Sequence, residues 1–144
     1  MKAFFDTTVL VAAMVESHPH HERSVAWLRK AGAGDIPWVV AAHSLAETYA
    51  VLTTLPVKPR ISPALASRLI RENVLASAEI VALSPREYQA VVARLADNGV
   101  PGGVIYDALL AFAAEKAEAT RLLTLNCDDF RRAWPSIARI VQLP

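Results

Sequence analysis

The sequence predicts an α/β fold: a three-layer α/β/α domain around a central, mainly parallel sheet of four to five strands. Three observations lead there. Short apolar runs alternate with amphipathic stretches along the chain, the pattern of strands joined by helical crossovers and hence of parallel pairing. Helix-start chemistry recurs, as Ser62-Pro63 and as Ser84-Pro-Arg-Glu87. A content of 53% hydrophobic and 20% charged residues over 144 positions suits one core, so a single domain is expected over 1–144.

The elements follow in order. Lys2-Ala-Phe-Phe5 is short and apolar and reads as a buried first strand; Asp6-Thr-Thr8 then offers capping oxygens to a helix over Val9–Val15. Glu16-Ser-His-Pro-His-His-Glu22 breaks that helix, with His18, His20 and His21 around Pro19 expected on a polar surface turn. Apolar residues at Val25, Ala26, Leu28 and Ala31 predict an amphipathic helix from His20 to Ala31, ended by Gly32-Ala-Gly34. Ile36-Pro-Trp-Val-Val40 is the second strand and Ser44–Thr54 the next helix. After a loop with two prolines, Ser62 caps a helix expected to reach Leu75. Glu79–Leu83 is a third strand, and the Ser84/Glu87 capping box opens a helix to Asp97. Asn98-Gly99 turns the chain, and Pro101-Gly-Gly103 leads into an apolar helix containing Asp107. Arg121–Leu125 is a fourth strand, Asn126–Ala133 a short helix with Phe130 inward, and Arg139–Leu143 a last strand.

Composition removes several functional classes. No apolar run reaches the roughly 18 residues that span a bilayer, and the acid at position 6 argues against an export signal. One cysteine, Cys127, rules out an intramolecular disulfide and is compatible with a reducing cytoplasm. The net charge of +1 does not announce a nucleic-acid binder. If four acids belong to a metal-filled site, however, 15 basic residues face 10 acidic ones, a balance of +5.

Those acids are the chemically informative feature. Asp107 is the only charged residue between Val100 and Ala114 and is expected a full turn inside an apolar helix, where a lone carboxylate is costly. Asp6 follows the first strand and also suits a helix N-cap; Glu47 follows Ser44 by three and also suits a capping box; Asp128 and Asp129 also suit a helix dipole. Yet Asp6 and Asn126–Asp129 both fall past the carboxyl ends of predicted strands, and Glu47 lies in the first turn expected after the second. That sheet edge is where open α/β folds bind ligands. Carboxylates converging there repel one another unless divalent cations intervene, and an oxygen-only set selects hard Mg²⁺ or Mn²⁺ over zinc.

Asp6-Thr-Thr-Val-Leu10, Ala46-Glu-Thr-Tyr-Ala-Val-Leu52, Ile105-Tyr-Asp-Ala-Leu-Leu110 and Leu123-Thr-Leu-Asn-Cys-Asp-Asp-Phe130 occur in that order. Together they resemble the four motifs of PIN-domain ribonucleases, most of all the VapC-like toxins of toxin–antitoxin pairs. The resemblance covers nearly the whole chain. It implies a PIN-like fold and Mg²⁺- or Mn²⁺-dependent hydrolysis of RNA phosphodiester bonds. Asp6, Glu47 and Asp107 would be catalytic, metal-ligating acids, with the Thr8 hydroxyl holding a carboxylate or metal-bound water. Many relatives place an acid where this chain has Asn126, so the fourth role passes to Asp129, with Asn126 and Asp128 in support. Arg131 and Arg132, next in sequence, are the candidates for substrate phosphate. The implied partners are an RNA substrate, a cognate antitoxin and a second copy in a homodimer, in the cytoplasm and away from membranes. The surplus apolar positions on the helices over Ser44–Leu75, such as Tyr49 and Leu65, could serve either protein partner.

Rival readings fit less of the chain. A haloacid-dehalogenase-like phosphatase needs a second acid where Thr8 stands, and a Rossmann nucleotide binder needs a glycine-rich turn that Asp6-Thr-Thr-Val-Leu10 lacks. A non-catalytic PIN-like module that binds RNA or protein, or a PIN nuclease of RNA processing, are the alternatives that share the fold.

Overall fold

In a computed structural model that describes Met1–Pro144, five strands form one all-parallel sheet in the order β3-β2-β1-β4-β5. They are β1 (Ala3–Phe5), β2 (Trp38–Ala41), β3 (Glu79–Val81), β4 (Arg121–Leu123) and β5 (Val141–Gln142). Each of the four pairings is parallel: β1 lies between β2 and β4, with Phe4 opposite both Val39 and Leu122. The expected α/β/α layering and parallel sheet are present.

Alternation along the strands decides what each face packs against. Phe4, Val39, Ala41, Val81 and Leu122 point to one face, where Val91 and Leu95 of α5 (Pro85–Asp97), Leu109 and Ala113 of α6 (Val104–Lys116) and Phe130 of α7 (Cys127–Ala133) cover them. Ala3, Phe5, Trp38, Val40 and Leu123 point to the other, against Val9 and Leu10 of α1 (Thr7–Met14) and Leu28 of α2 (His21–Gly32). Period-two side chains from strands with no polar face place apolar surface on both sides, so helices are needed on both. A smaller cluster of Val11, Val15, Leu52 and Ala66 joins α1 to α3 (Ala42–Thr54) and α4 (Pro63–Ile70).

Several boundaries move, two of them with consequences for the acids. α3 starts at Ala42, directly off β2, so Ser44 is no cap; its hydroxyl instead meets that of Thr7, and Glu47 falls in the second turn. α6 starts at Val104, so Asp107 closes the first turn and does not stand a full turn inside. There the helix N-terminus adds some favourable field. Gly102, at φ +75°, makes the left-handed turn that lets the chain enter α6. The helix expected to reach Leu75 is α-helical to Ile70 and then a π-helical turn over Arg71–Leu75. Inside that turn the Asn73 side-chain amide donates to the Leu69 carbonyl (2.8 Å), the acceptor its own N–H would take in an α-helix. Before β5, Pro135–Ile140 winds as a 3₁₀ helix, which shortens the last strand to two residues.

Other local expectations hold. Ser84 and Glu87 form both hydrogen bonds of the capping box, Ser62 caps α4 through Leu65 N–H, Arg68 pairs with Glu72 at 3.1 Å, and Phe130 is fully buried. No helix is long and apolar enough to cross a membrane.

Candidate functional site

The chain moves outward from β1 through β2 to β3, then returns to the other side of β1 for β4 and β5. The reversal leaves a crevice at the carboxyl end of the sheet between β1 and β4. Asp6 sits there, one residue past β1, and is 3% exposed. Its Oδ1 accepts from Thr7 N–H (2.8 Å), so it is the N-cap of α1; its Oδ2 accepts from the hydroxyls of Thr8 (2.7 Å) and Thr124 (2.8 Å). Burial pushes the Asp6 carboxyl above its usual range, the three donors pull against that, and the Glu47 charge adds to the rise. Capping and site geometry coincide in this one residue.

A cavity of about 440 Å³ opens from Asp6 and is also lined by Thr7, Thr8, Glu47, Asp107 and Asn126. The Thr7 hydroxyl lies 3.0 Å from Ser44 Oγ and 3.2 Å from Glu47 Oε1, which ties α1 to α3 across the crevice. His43 Nε2 approaches the same Glu47 oxygen at 3.5 Å. Asp107 is different. Its carboxyl rises from 3.8 to about 6, through burial first and then the charges of Asp6, Asp129 and Glu47, with no hydrogen bond pulling the other way. Asp107 therefore feels the other three acids and, unlike Asp6, has no donor to set against them.

The fourth acid stands apart. Asp129 borders a neighbouring open groove with Asp128, Arg131 and Gln142, and Asn126 forms the wall between groove and cavity. Asp129 is ion-paired with Arg132. Arg131 donates to the Val141 carbonyl (3.0 Å) and lies 3.6 Å from the exposed Asp128. Both arginines are thus already engaged.

Sequence reading assigned no role at the site to Thr124, Thr7, Ser44, His18 or His43. Thr124 is fully buried; besides holding Asp6 it accepts from Asn126 N–H (3.0 Å), fixing the turn from β4 into α7. A threonine just past an apolar strand, inside the fourth motif, was its available signal. Thr7 and Ser44 depend on the α1–α3 contact and leave no sequence mark. His18, placed on a surface turn, also lines the cavity, with its imidazole held below the usual range by burial and then by His20 and His21.

A hard divalent cation fits the donor set, which is oxygen-only and carries more negative charge than the chain neutralises. No three His, Cys, Asp or Glu side chains are close enough to share one ion directly. One or two carboxylates with water completing the shell is the ordinary way of holding Mg²⁺.

Comparison with known proteins gives the chain a family and a fold. A family profile described as PIN domain matches residues 3–133. The chain is 38% identical over 114 residues to Ribonuclease VapC27 of Mycobacterium tuberculosis, covering 79% of this chain and 77% of that protein. It is 37% identical over 119 residues to Ribonuclease VapC40 of the same species, covering 83% and 82%. The fold superposes on a chain of VapBC2 from Rickettsia felis, whose crystal structure holds a promoter DNA fragment, with a TM-score of 0.65 and 20% identity over 100% of this chain and 99% of that one.

Proposed function

The chain belongs to the PIN-domain family as a VapC-like member, and from that premise we propose that it is an endoribonuclease, the toxin of a VapBC-type toxin–antitoxin pair. The observation that carries the chemistry is the convergence of Asp6, Glu47 and Asp107 on one cavity at the sheet's switch point, with Asp107 lacking any donor. A set of acids that destabilises itself is explained by a cation that the fold leaves to be supplied.

In this reading one or two of Asp6, Glu47 and Asp107 would hold Mg²⁺ or Mn²⁺ directly and the rest through water, with Asp129 reaching the site from the groove through water. When bound, such an ion supplies activation of water and neutralisation of charge developing on the phosphate oxygens. The chain's own contribution is placement. Thr8 and Thr124 fix Asp6 Oδ2, so that carboxylate cannot rotate away from the crevice. Thr7 and His43 aim Glu47 Oε1 into the cavity, where it can accept a proton from an attacking water. Asn126 offers an amide to the phosphate or its water shell at the wall between cavity and groove. Arg131 and Arg132 keep a secondary role in phosphate binding, because reaching a phosphate means leaving their present partners.

The relatives' names support an RNA substrate, and the solved VapBC complex supports an antitoxin partner. Tyr49, Val51 and Leu65, exposed on α3 and α4, offer apolar area for the antitoxin or a homodimer. We place the protein in the cytoplasm, as one PIN domain over 1–144. One observation favours the non-catalytic alternative: Asn126 is uncharged and Asp129 is ion-paired. The deciding experiment is incubation of the purified protein with RNA in Mg²⁺, Mn²⁺ or EDTA. Cleavage that needs the ion and vanishes in Asp107→Asn supports the nuclease; RNA binding without cleavage under any ion supports the module.

A further inference from the structure

Beside the acid cavity lies a pair of aromatic rings, of which His43 also reaches Glu47 while Tyr106 has no part in the fold or the carboxylate chemistry. Tyr106, the residue before Asp107 on α6, is 56% exposed. Its ring lies nearly parallel to that of His43 on α3, with 5° between the planes and 6.2 Å between the centroids. His43 in turn reaches Glu47 at 3.5 Å. The two rings thus come from two helices and meet at the site's edge, each adjoining one of the candidate acids. No packing requires Tyr106 there: the core on that face is closed by Ala108, Leu109 and Ala111 of the same helix.

We propose that Tyr106, backed by His43, is a stacking platform for a nucleobase of single-stranded RNA next to the bond to be cut. This rests on the ribonuclease reading and adds how a flexible strand is registered against the acids. Negative carboxylates cannot attract a polyanion, and the nearby arginines are engaged in ion pairs and a backbone hydrogen bond. Affinity must therefore come partly from contacts indifferent to charge. Base–aromatic stacking is such a contact, since every base presents a π-face, and tyrosine and histidine are among the side chains that provide it. The rings' position fixes a neighbouring base while its phosphate lies toward Glu47 and Asp107. Tyr106 is accordingly a positioning residue.

The test uses the full chain and single-stranded RNA oligonucleotides carrying 2-aminopurine at successive positions, in EDTA so that no cleavage intervenes. The platform predicts quenching at one position with wild type and Tyr106→Phe, lost in Tyr106→Ala. RNA affinity by anisotropy falls about tenfold in Tyr106→Ala and stays near wild type in Tyr106→Phe. An abasic site at the quenched position removes the difference between wild type and Tyr106→Ala. The platform is overturned if Tyr106→Ala keeps both quenching and affinity, which would leave the rings to a protein partner. It is equally overturned if Phe fails as Ala does, or if the abasic RNA preserves the difference. A parallel cleavage assay in Mg²⁺ separates the two readings. Quenching without any cleavage removes the nuclease and keeps the platform; cleavage with no effect of Tyr106→Ala keeps the nuclease and removes the platform.

Discussion

Replacing Asp107 by Asn should make the metal-free protein more stable while abolishing cleavage. The carboxyl stands at about 6 in the fold against an ordinary 3.8. At about 1.4 kcal/mol for each pH unit, that difference sets a ceiling of about 3 kcal/mol on the cost of keeping Asp107 charged at pH 7. The group is half-exposed, and solvent screening brings the expected cost to about 1 kcal/mol. The sign follows from proton binding. Between pH 3.8 and about 6 the folded state holds more protons at Asp107 than the unfolded one, so this group's contribution makes stability fall as pH rises through that window. Above pH 6 the full penalty stands; below 3.8 it is gone. Asn has nearly the same shape and no charge. In EDTA at pH 7, Asp107→Asn should therefore melt about 3 °C above wild type, as about 1 kcal/mol does for a chain of this size. The gap should close toward pH 4. Mg²⁺ should raise the melting temperature of wild type and move the variant much less, because only the former gains a ligand. A variant melting at or below wild type at pH 7 in EDTA, or one whose offset is the same at pH 4 and 7, would refute the uncompensated carboxylate.

Thr124→Val removes a buried donor to Asp6 and the acceptor of Asn126 N–H; denaturant melts should show a loss of about 2–3 kcal/mol, and RNA cleavage should fall with it. Asn126→Asp adds a charge at the cavity wall, so it should tighten Mg²⁺ binding by calorimetry and lower the melting temperature in EDTA. Ser84→Ala breaks the α5 capping box far from the acids and should cost about 1 kcal/mol in a thermal melt, with cleavage per folded molecule unchanged.

What could be read from the sequence was whatever local chemistry or period encodes. The strands were legible because Phe4 and Phe5, or Val39 and Val40, are apolar on both faces, and only a sheet covered twice over buries both. Ser84-Pro-Arg-Glu87 was legible because the capping box is satisfied within four residues. Ser44-Leu-Ala-Glu47 has the same spelling and does something else: β2 runs straight into α3 at Ala42, so the serine and glutamate are both drawn to Thr7. Nothing within those four residues distinguishes the two cases; the contact between α1 and α3 does. Thr124 and the Tyr106–His43 pair were hidden for the same reason, since their partners lie 118 and 63 positions away along the chain.

The two central acids are both raised by burial but are held in different ways. Asp6 is the more deeply buried, yet it is tied down by one backbone N–H and two hydroxyls, each of which favours its ionised form. Such a carboxyl is an anchor: burial still raises it, but its three donors fix its position and so where a cation would sit. Asp107 has more solvent and no donor, and it feels Asp6, Asp129 and Glu47 together. Such a carboxylate is a sensor of the cation, since beyond the field of its helix N-terminus no hydrogen bond or ion pair in the chain relieves it. Asp129 lies between these extremes, because Arg132 offsets part of its charge at the groove. That division also accounts for Asn126. A further acid on the wall beside Asp107 would add repulsion at a carboxyl with no hydrogen-bond donor, whereas an amide there keeps a polar surface between cavity and groove without adding charge.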